Sequence, residues 1–132
     1  MSVGSRRESR ERALSLLYEA EVKELSPSAL LAELPLKPEA FVVDLVEGVD
    51  VHQARIDGLI GRFAVDWTID RMPAVDRNLL RLAVYELLER PDVPLGAVIS
   101  EAVELAKRYS TDESGRFVNG VLSGVAAEVR PA

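Results

Sequence analysis

Residues 75–88, VDRNLLRLAVYELL, constrain this chain more than any other stretch. Read as a helix, Val75, Leu79, Leu80, Leu82, Ala83, Val84, Leu87 and Leu88 cover more than half of its circumference. A helix lying on a surface carries a narrower apolar stripe, so this one is expected to be buried on several sides. Its polar remainder is Arg77, Asn78, Arg81 and Glu86, with Tyr85 beside them. The rest of the chain must supply enough helices to surround it.

It does so in order. Residues 1–5 are expected to be disordered. Ala13, Leu16, Leu17 and Ala20 repeat at helical spacing within a helix from about Arg7 to Glu24. Arg7, Glu11, Leu14 and Tyr18 form a neighbouring row, which puts Arg7 and Tyr18 roughly 16 Å apart along the axis. Ser26-Pro27 is a cap and first-turn pair for a short helix through about Leu34. One long helix is expected from about Pro38 to Phe63, with a heptad-like seam of Val42, Leu45, Val49, His52, Ile56, Leu59 and Phe63. Trp67 to Pro73 is a connection with room for a short helical turn. After the central helix, Ala97 to Tyr109 places Ile99, Ala102, Ala106 and Tyr109 on one face. A last helix from about Ser114 to Val129 turns Val118, Val121, Leu122 and Val125 inward. No period-two pattern suggests a strand. The expected fold is all-α: about six or seven helices in two small bundles around a central buried helix. It forms a single domain, 1–132, with helical subdomains at about 6–66 and 67–129.

Composition narrows the function. At 132 residues the chain is long enough for a real core, and with 5% aromatics that core must be aliphatic. No apolar run is long enough to span a membrane, and the N-terminus lacks the apolar middle of a secretory signal. The absence of cysteine excludes disulfides and thiolate metal sites and fits a cytoplasmic chain. A formal net charge of -6 argues against nonspecific coating of nucleic acid. The charge is uneven, however. Residues 1–12 carry Arg6, Arg7, Arg10 and Arg12 against Glu8 and Glu11, so 4 − 2 gives +2, and −6 − 2 leaves −8 for the rest. A basic arm on an acidic body suits a confined anion contact.

Enzymatic chemistry finds little support. The one histidine, His52, lies on the helical seam and reads as a core or boundary imidazole. No His/Cys set offers a metal site, and no cofactor is implied. Gly58 and Gly61 follow no strand, so they form no dinucleotide fingerprint, and neither a P-loop nor a nucleophile elbow is present. Glu101 and Glu104 read as parts of solvated helix faces.

The arginine cluster keeps two readings. Interleaved with glutamates at a helix start, it forms i,i+4 pairs. Alternatively it grips phosphates, with Tyr18 available for base stacking. Arginine rather than lysine at all four positions favours RNA, because the planar guanidinium matches phosphates and stacks on bases. Lys107, Arg108, Arg116 and Phe117 form a second candidate patch around the polar break at 110–114, with Phe117 either a rim core residue or a stacking platform. Asn119-Gly120 reads as a position where another backbone approaches closely. Asp76, Arg77 and Arg81 form a charged face on the central helix, open to solvent or to a partner.

Four stretches carry a family resemblance. RRESRERALSLLYEAE resembles the arginine-led opening helix of the NusB family. DRNLLRLAVYEL, PLGAVISEAVELAK and SGRFVNGVL are similar to that family's later motifs, in the same order. The likeness covers nearly the whole chain and is loosest over 25–40 and 50–70. It implies an all-helical factor of transcription antitermination, without catalysis, that binds boxA RNA of ribosomal RNA transcripts. The implied protein partners are NusE, a small-subunit ribosomal protein, and then NusA, NusG and RNA polymerase. By the resemblance, Arg6, Arg7 and Arg10 form the arginine-rich RNA contact, and Tyr18, Glu113 and Phe117 match positions on the RNA surface. Lys107 and Arg116 join them from the second patch. Asp76 matches a position that meets NusE, with Arg77 and Arg81 beside it. Ser9 replaces the alanine of the usual arginine motif, and the acidic body is expected to weaken RNA binding or make it depend on NusE. A related domain occurs fused to some RNA cytosine methyltransferases; a free-standing factor is the expectation here. The alternative is a protein–protein scaffold or homodimer using the same arginine-bearing face.

Overall fold

The computed structural model describes residues 3–131, with side chains described from Arg6 onward. Helix α1 spans Val3–Val22. Ala13, Leu16, Leu17 and Ala20 are all buried, as their spacing requires. The expectation of disorder over 1–5 fails for residues 3–5, which continue α1; residues 1 and 2 lie outside the described residues. Glu24 closes the helix in the left-handed region at φ 56, while the Leu25 N–H donates to the Ala20 carbonyl at 2.9 Å. Glycine usually fills that closing position.

Helix α2, Pro27–Glu33, starts on the signal read from the sequence. The Ser26 hydroxyl oxygen accepts from the Ala29 N–H at 3.1 Å, and Pro27 occupies the first turn. The single long helix expected over 38–63 is instead two: α3, Ala40–Val51, and α4, Gln53–Phe63. His52 breaks it, at φ −103 and ψ 15. One residue's change of dihedral inserts no spacer, so the apolar period runs on across the break. Tertiary packing differs on the two sides: α3 lies on α1, α2 and α5, whereas α4 lies on α5 and α7. The His52 imidazole is half-buried at the boundary, with Nε2 3.8 Å from Glu89 Oε1 and its ring centroid 5.9 Å from that of Tyr85.

A 3-10 turn at Ile69–Arg71 leads into α5, Ala74–Glu89. Helices α6, Leu95–Tyr109, and α7, Asp112–Val129, follow as a closely packed pair. Thr111 caps α7 by accepting from the Ser114 N–H at 2.9 Å. Among the described residues there are seven α-helices and no strand. α5 packs against α1, α3, α4, α6 and α7, which is why its apolar residues spread around most of its circumference. Even Asp76, Asn78 and Glu86 are buried on it. Each fully buried leucine contributes roughly 1.5–3 kcal/mol, and Leu79, Leu80, Leu82 and Leu87 all lie inside.

Two side-chain expectations are corrected. Tyr109 does not share the buried face of Ala102 and Ala106; it is 48% exposed, on the last turn of α6 where the chain turns away. Gly120 meets no neighbour within 4 Å. Close approaches on α7 belong to Gly115, crossed by the Lys107 stem, and to Gly124, where a Cβ would fall 2.4 Å from the Phe63 ring.

Candidate nucleic-acid interface

The arginines of the α1 opening take different environments. Arg6 stacks on the Phe41 ring, its guanidinium carbon 4.2 Å from the centroid, and approaches Asp92 at 3.9 Å. Arg10 is buried and binds Glu86 with two parallel hydrogen bonds: Nε donates to Oε2 at 2.9 Å and Nη2 to Oε1 at 2.8 Å. Arg7 donates from Nε to Glu101 Oε2 at 2.9 Å and keeps 42% of its side chain exposed. That hydrogen bond, with the charge of Glu101, raises the Arg7 pKa above its ordinary value. Helical geometry explains the division. Arg6 and Arg10 are four apart and share the face turned to α3 and α5, whereas Arg7 is rotated by about 100° toward α6. Arg10 is therefore corrected from a surface contact to an internal one, because its charge is already matched inside the fold.

Tyr18 is 49% exposed and faces Tyr109 across a groove of about 450 Å³ lined also by Glu11, Leu14, Ser15 and Val75. The Tyr109 hydroxyl donates to Glu11, which also attracts Arg108 at 3.4 Å. The hydrogen bond to Glu11, then partial burial, raises the Tyr109 pKa. Lys107 is exposed, and its stem crosses Gly115 of α7, where a Cβ would meet Lys107 Cγ at 2.9 Å. Arg7, Lys107 and Arg108 line one polar pocket of about 250 Å³ together with Glu104. Two aromatic faces and several cations thus adjoin the seam between α1 and α6.

At the start of α7, Glu113 is exposed in the first turn, where its charge favours the helix dipole. Arg116 is exposed. Phe117 is half-buried and meets Trp67 edge to face, with centroids 5.3 Å apart at 90°. Both line a second groove of about 360 Å³ with Phe63, Val65 and Arg116.

The charged face expected on α5 is not a free surface. Asp76 is fully buried, and among the described residues neither carboxylate oxygen has a hydrogen-bonding partner. Arg77 holds Glu21 through two hydrogen bonds, at 2.8 and 2.6 Å, and the Ile69 and Met72 carbonyls through Nη1. Arg81 grips Asp57 at 2.9 Å on both oxygens and reaches Glu21 at 3.3 Å. These arginines tie α5 to α1, α4 and the 3-10 turn, so Asp76 lies inside the fold while the half-buried Arg77 and Arg81 are held by partners within it. Among the described residues no group of three or more His, Cys, Asp or Glu is placed to hold a metal ion, and no helix is long and apolar enough to cross a membrane.

The sequence model of the NusB family matches residues 7–127. The chain belongs to the NusB family. It is 50% identical over 130 residues to the transcription antitermination protein NusB of Salinispora arenicola, covering 92% of this chain and 95% of that one. To the protein of the same name from Thermobifida fusca it is 50% identical over 124 residues, covering 91% and 87%. Among solved structures, T. maritima NusB superposes with a TM-score of 0.83 at 37% identity, covering 96% of this chain and 93% of that one. A chain from the crystal structure of the antitermination factors NusB and NusE in complex with dsRNA gives 0.79 at 32% identity, covering 93% and 96%. The NusB-like motifs of the sequence thus fall into two kinds. Arg7, Tyr18, Lys107, Glu113, Arg116 and, in part, Arg6 and Phe117 reach the surface; Arg10, Asp76 and mostly Arg77 and Arg81 build the NusB fold itself. Sequence reasoning missed Tyr109 and Trp67 as exposed aromatics. The signal was present at Trp67, which stands between polar Asp66 and Thr68 in a connection, but not at Tyr109, whose spacing matched the inward face.

Proposed function

We propose that this chain is an RNA-binding transcription antitermination factor that acts in the cytoplasm on boxA of ribosomal RNA transcripts, together with NusE. NusA, NusG and RNA polymerase complete the assembly, which helps the polymerase pass terminators. The observation that carries the reading is the 0.79 superposition, over nearly both chains, on a structure of NusB and NusE with RNA. The surface geometry supports it. Lys107 and Arg116 are exposed cations for phosphates, with the half-buried Arg7 beside them, and Tyr18 and Tyr109 present ring faces to unstacked bases. The acidic remainder of the molecule repels RNA that makes no specific contacts, leaving selectivity to boxA and the partner. Phe117, edge to face with Trp67 beside Arg116, offers a further ring to bases.

The test is fluorescence anisotropy of a labelled boxA RNA titrated with the protein, with and without NusE, at two salt concentrations. Binding that requires the boxA sequence, tightens with NusE and weakens with salt is the expected result. Equal binding of scrambled RNA under every condition would sink the reading. Light scattering on the same samples tests whether the chain self-associates on this face, since RNA would then dissolve the dimer.

A further inference from the structure

We propose that Arg10 and Glu86 are a positioning pair for the RNA surface: they fix the roll of α1 on α5 so that Arg7 is presented beside Lys107, and Arg10 makes no RNA contact of its own. The inference rests on the RNA reading above and assigns Arg10 a role opposite to the one its sequence motif suggests.

The geometry decides between contact and positioning. Both members of the pair are almost fully buried, with side-chain exposures of 7% and 2%. Two parallel hydrogen bonds, at 2.9 and 2.8 Å, define both the distance and the plane of the guanidinium. A fork-on-carboxylate contact of this kind fixes orientation where a lysine would fix only a point charge. Breaking it to reach a phosphate would leave the Glu86 charge buried and unmatched inside α5, a state the fold strongly opposes. Arg10 lies one helical turn from Arg6 and Arg7. Around it, Arg6 is flattened on Phe41 of α3 at 4.2 Å, and Arg90 lies over the same ring at 4.9 Å. Arg7, on the adjacent face, is held to Glu101 of α6. The opening of α1 is thus fixed from two sides, and Arg10–Glu86 is the buried, geometrically defined member of that set. Losing it frees α1 to roll, and Arg7 then leaves the cation-lined pocket shared with Lys107 and Arg108.

Arg10→Met, Glu86→Met and the double variant Arg10→Met/Glu86→Met separate the alternatives, because an apolar pair can replace a buried ion pair without an unmatched charge. Each is titrated with labelled boxA RNA in the presence of NusE, well below its melting temperature, with folding followed by circular dichroism. The positioning role predicts that each single variant, while folded, binds RNA about tenfold more weakly, and that the double variant, which removes the unmatched charge but does not restore the lost orientation, also stays weaker than the unaltered chain. Glu86→Gln gives a second reading of opposite sign. Positioning predicts weaker binding, whereas a carboxylate that merely repels phosphate predicts tighter binding once its charge is removed. A folded Glu86→Met variant that binds RNA as well as or better than the unaltered chain, while Arg10→Met binds poorly, makes Arg10 a direct contact and overturns the inference. Folded single variants that bind like the unaltered chain overturn it too, leaving the pair a purely structural one. If Glu86→Met unfolds, Glu86→Gln decides in its place. Failure of the unaltered chain to bind RNA overturns the RNA reading itself, which is distinct from a loss confined to the variants.

Discussion

The ring of Tyr85 on α5 occupies the space that a side chain at Gly48 of α3 would need. A Cβ at Gly48 would fall 2.2 Å from two carbons of that ring. The Tyr85 hydroxyl donates to Asp44 Oδ1, one turn earlier on α3, at 2.7 Å. The ring therefore cannot slide aside without losing its hydrogen bond. Gly48→Ala is expected to destabilise the fold by about 1–3 kcal/mol, despite the better helix propensity of alanine. Urea unfolding of the two proteins checks this, and an unchanged midpoint would show that the helices can separate at little cost.

Glu24 holds a left-handed backbone at φ 56, where a β-carbon is strained. It is exposed just beyond the end of α1. Replacing it with glycine is expected to stabilise the protein by about 0.5–1 kcal/mol, because the strain removed exceeds the chain entropy added. A rise in melting temperature is the predicted readout.

Glu21 connects the end of α1 to the arginines of α5. Its hydrogen bond from Arg77, aided by the charges of Arg77 and Arg81 and opposed by burial, lowers its pKa below the ordinary 4.5. A carboxylate depressed in the folded state stabilises at pH values above its unfolded pKa. That stabilisation is lost as the pH falls through the folded value. Stability is therefore expected to decline below about pH 4.5, and Glu21→Gln should flatten this part of the profile while lowering stability at neutral pH. Melting curves from pH 7 to pH 3 supply the measurement; parallel profiles for the two proteins would remove Glu21 from the account.

Lys107 and Arg116 are exposed, so changing either to alanine should leave stability within about 0.5 kcal/mol. Under the proposed function each substitution removes one phosphate contact. The slope of log affinity against log salt should then shrink by about 0.7 per residue for single-stranded RNA. An unaltered slope in both variants would place the phosphate contacts elsewhere.

The helical class and the central place of α5 were legible because hydrophobic spacing is a local property. Leu79, Leu80, Leu82, Val84 and Leu87 cannot all be buried unless helices surround them. The cap at Ser26 was legible for the same reason: it acts within three residues of itself. The break at His52 was not, since it keeps the apolar period and is set by different packing partners on its two sides.

The sequence by itself determined the all-helical class, the aliphatic core, the basic opening and the family to which the chain belongs. It placed arginines on α1 and α5 but not the direction in which each one faces. Tertiary structure decided that Arg10 turns inward to Glu86, Arg77 to Glu21 and Arg81 to Asp57, while Arg7 remains half in solvent. The physical reason is that burying a guanidinium is costly unless a carboxylate matches its charge. Only a partner from a helix tens of residues away settles which side it takes.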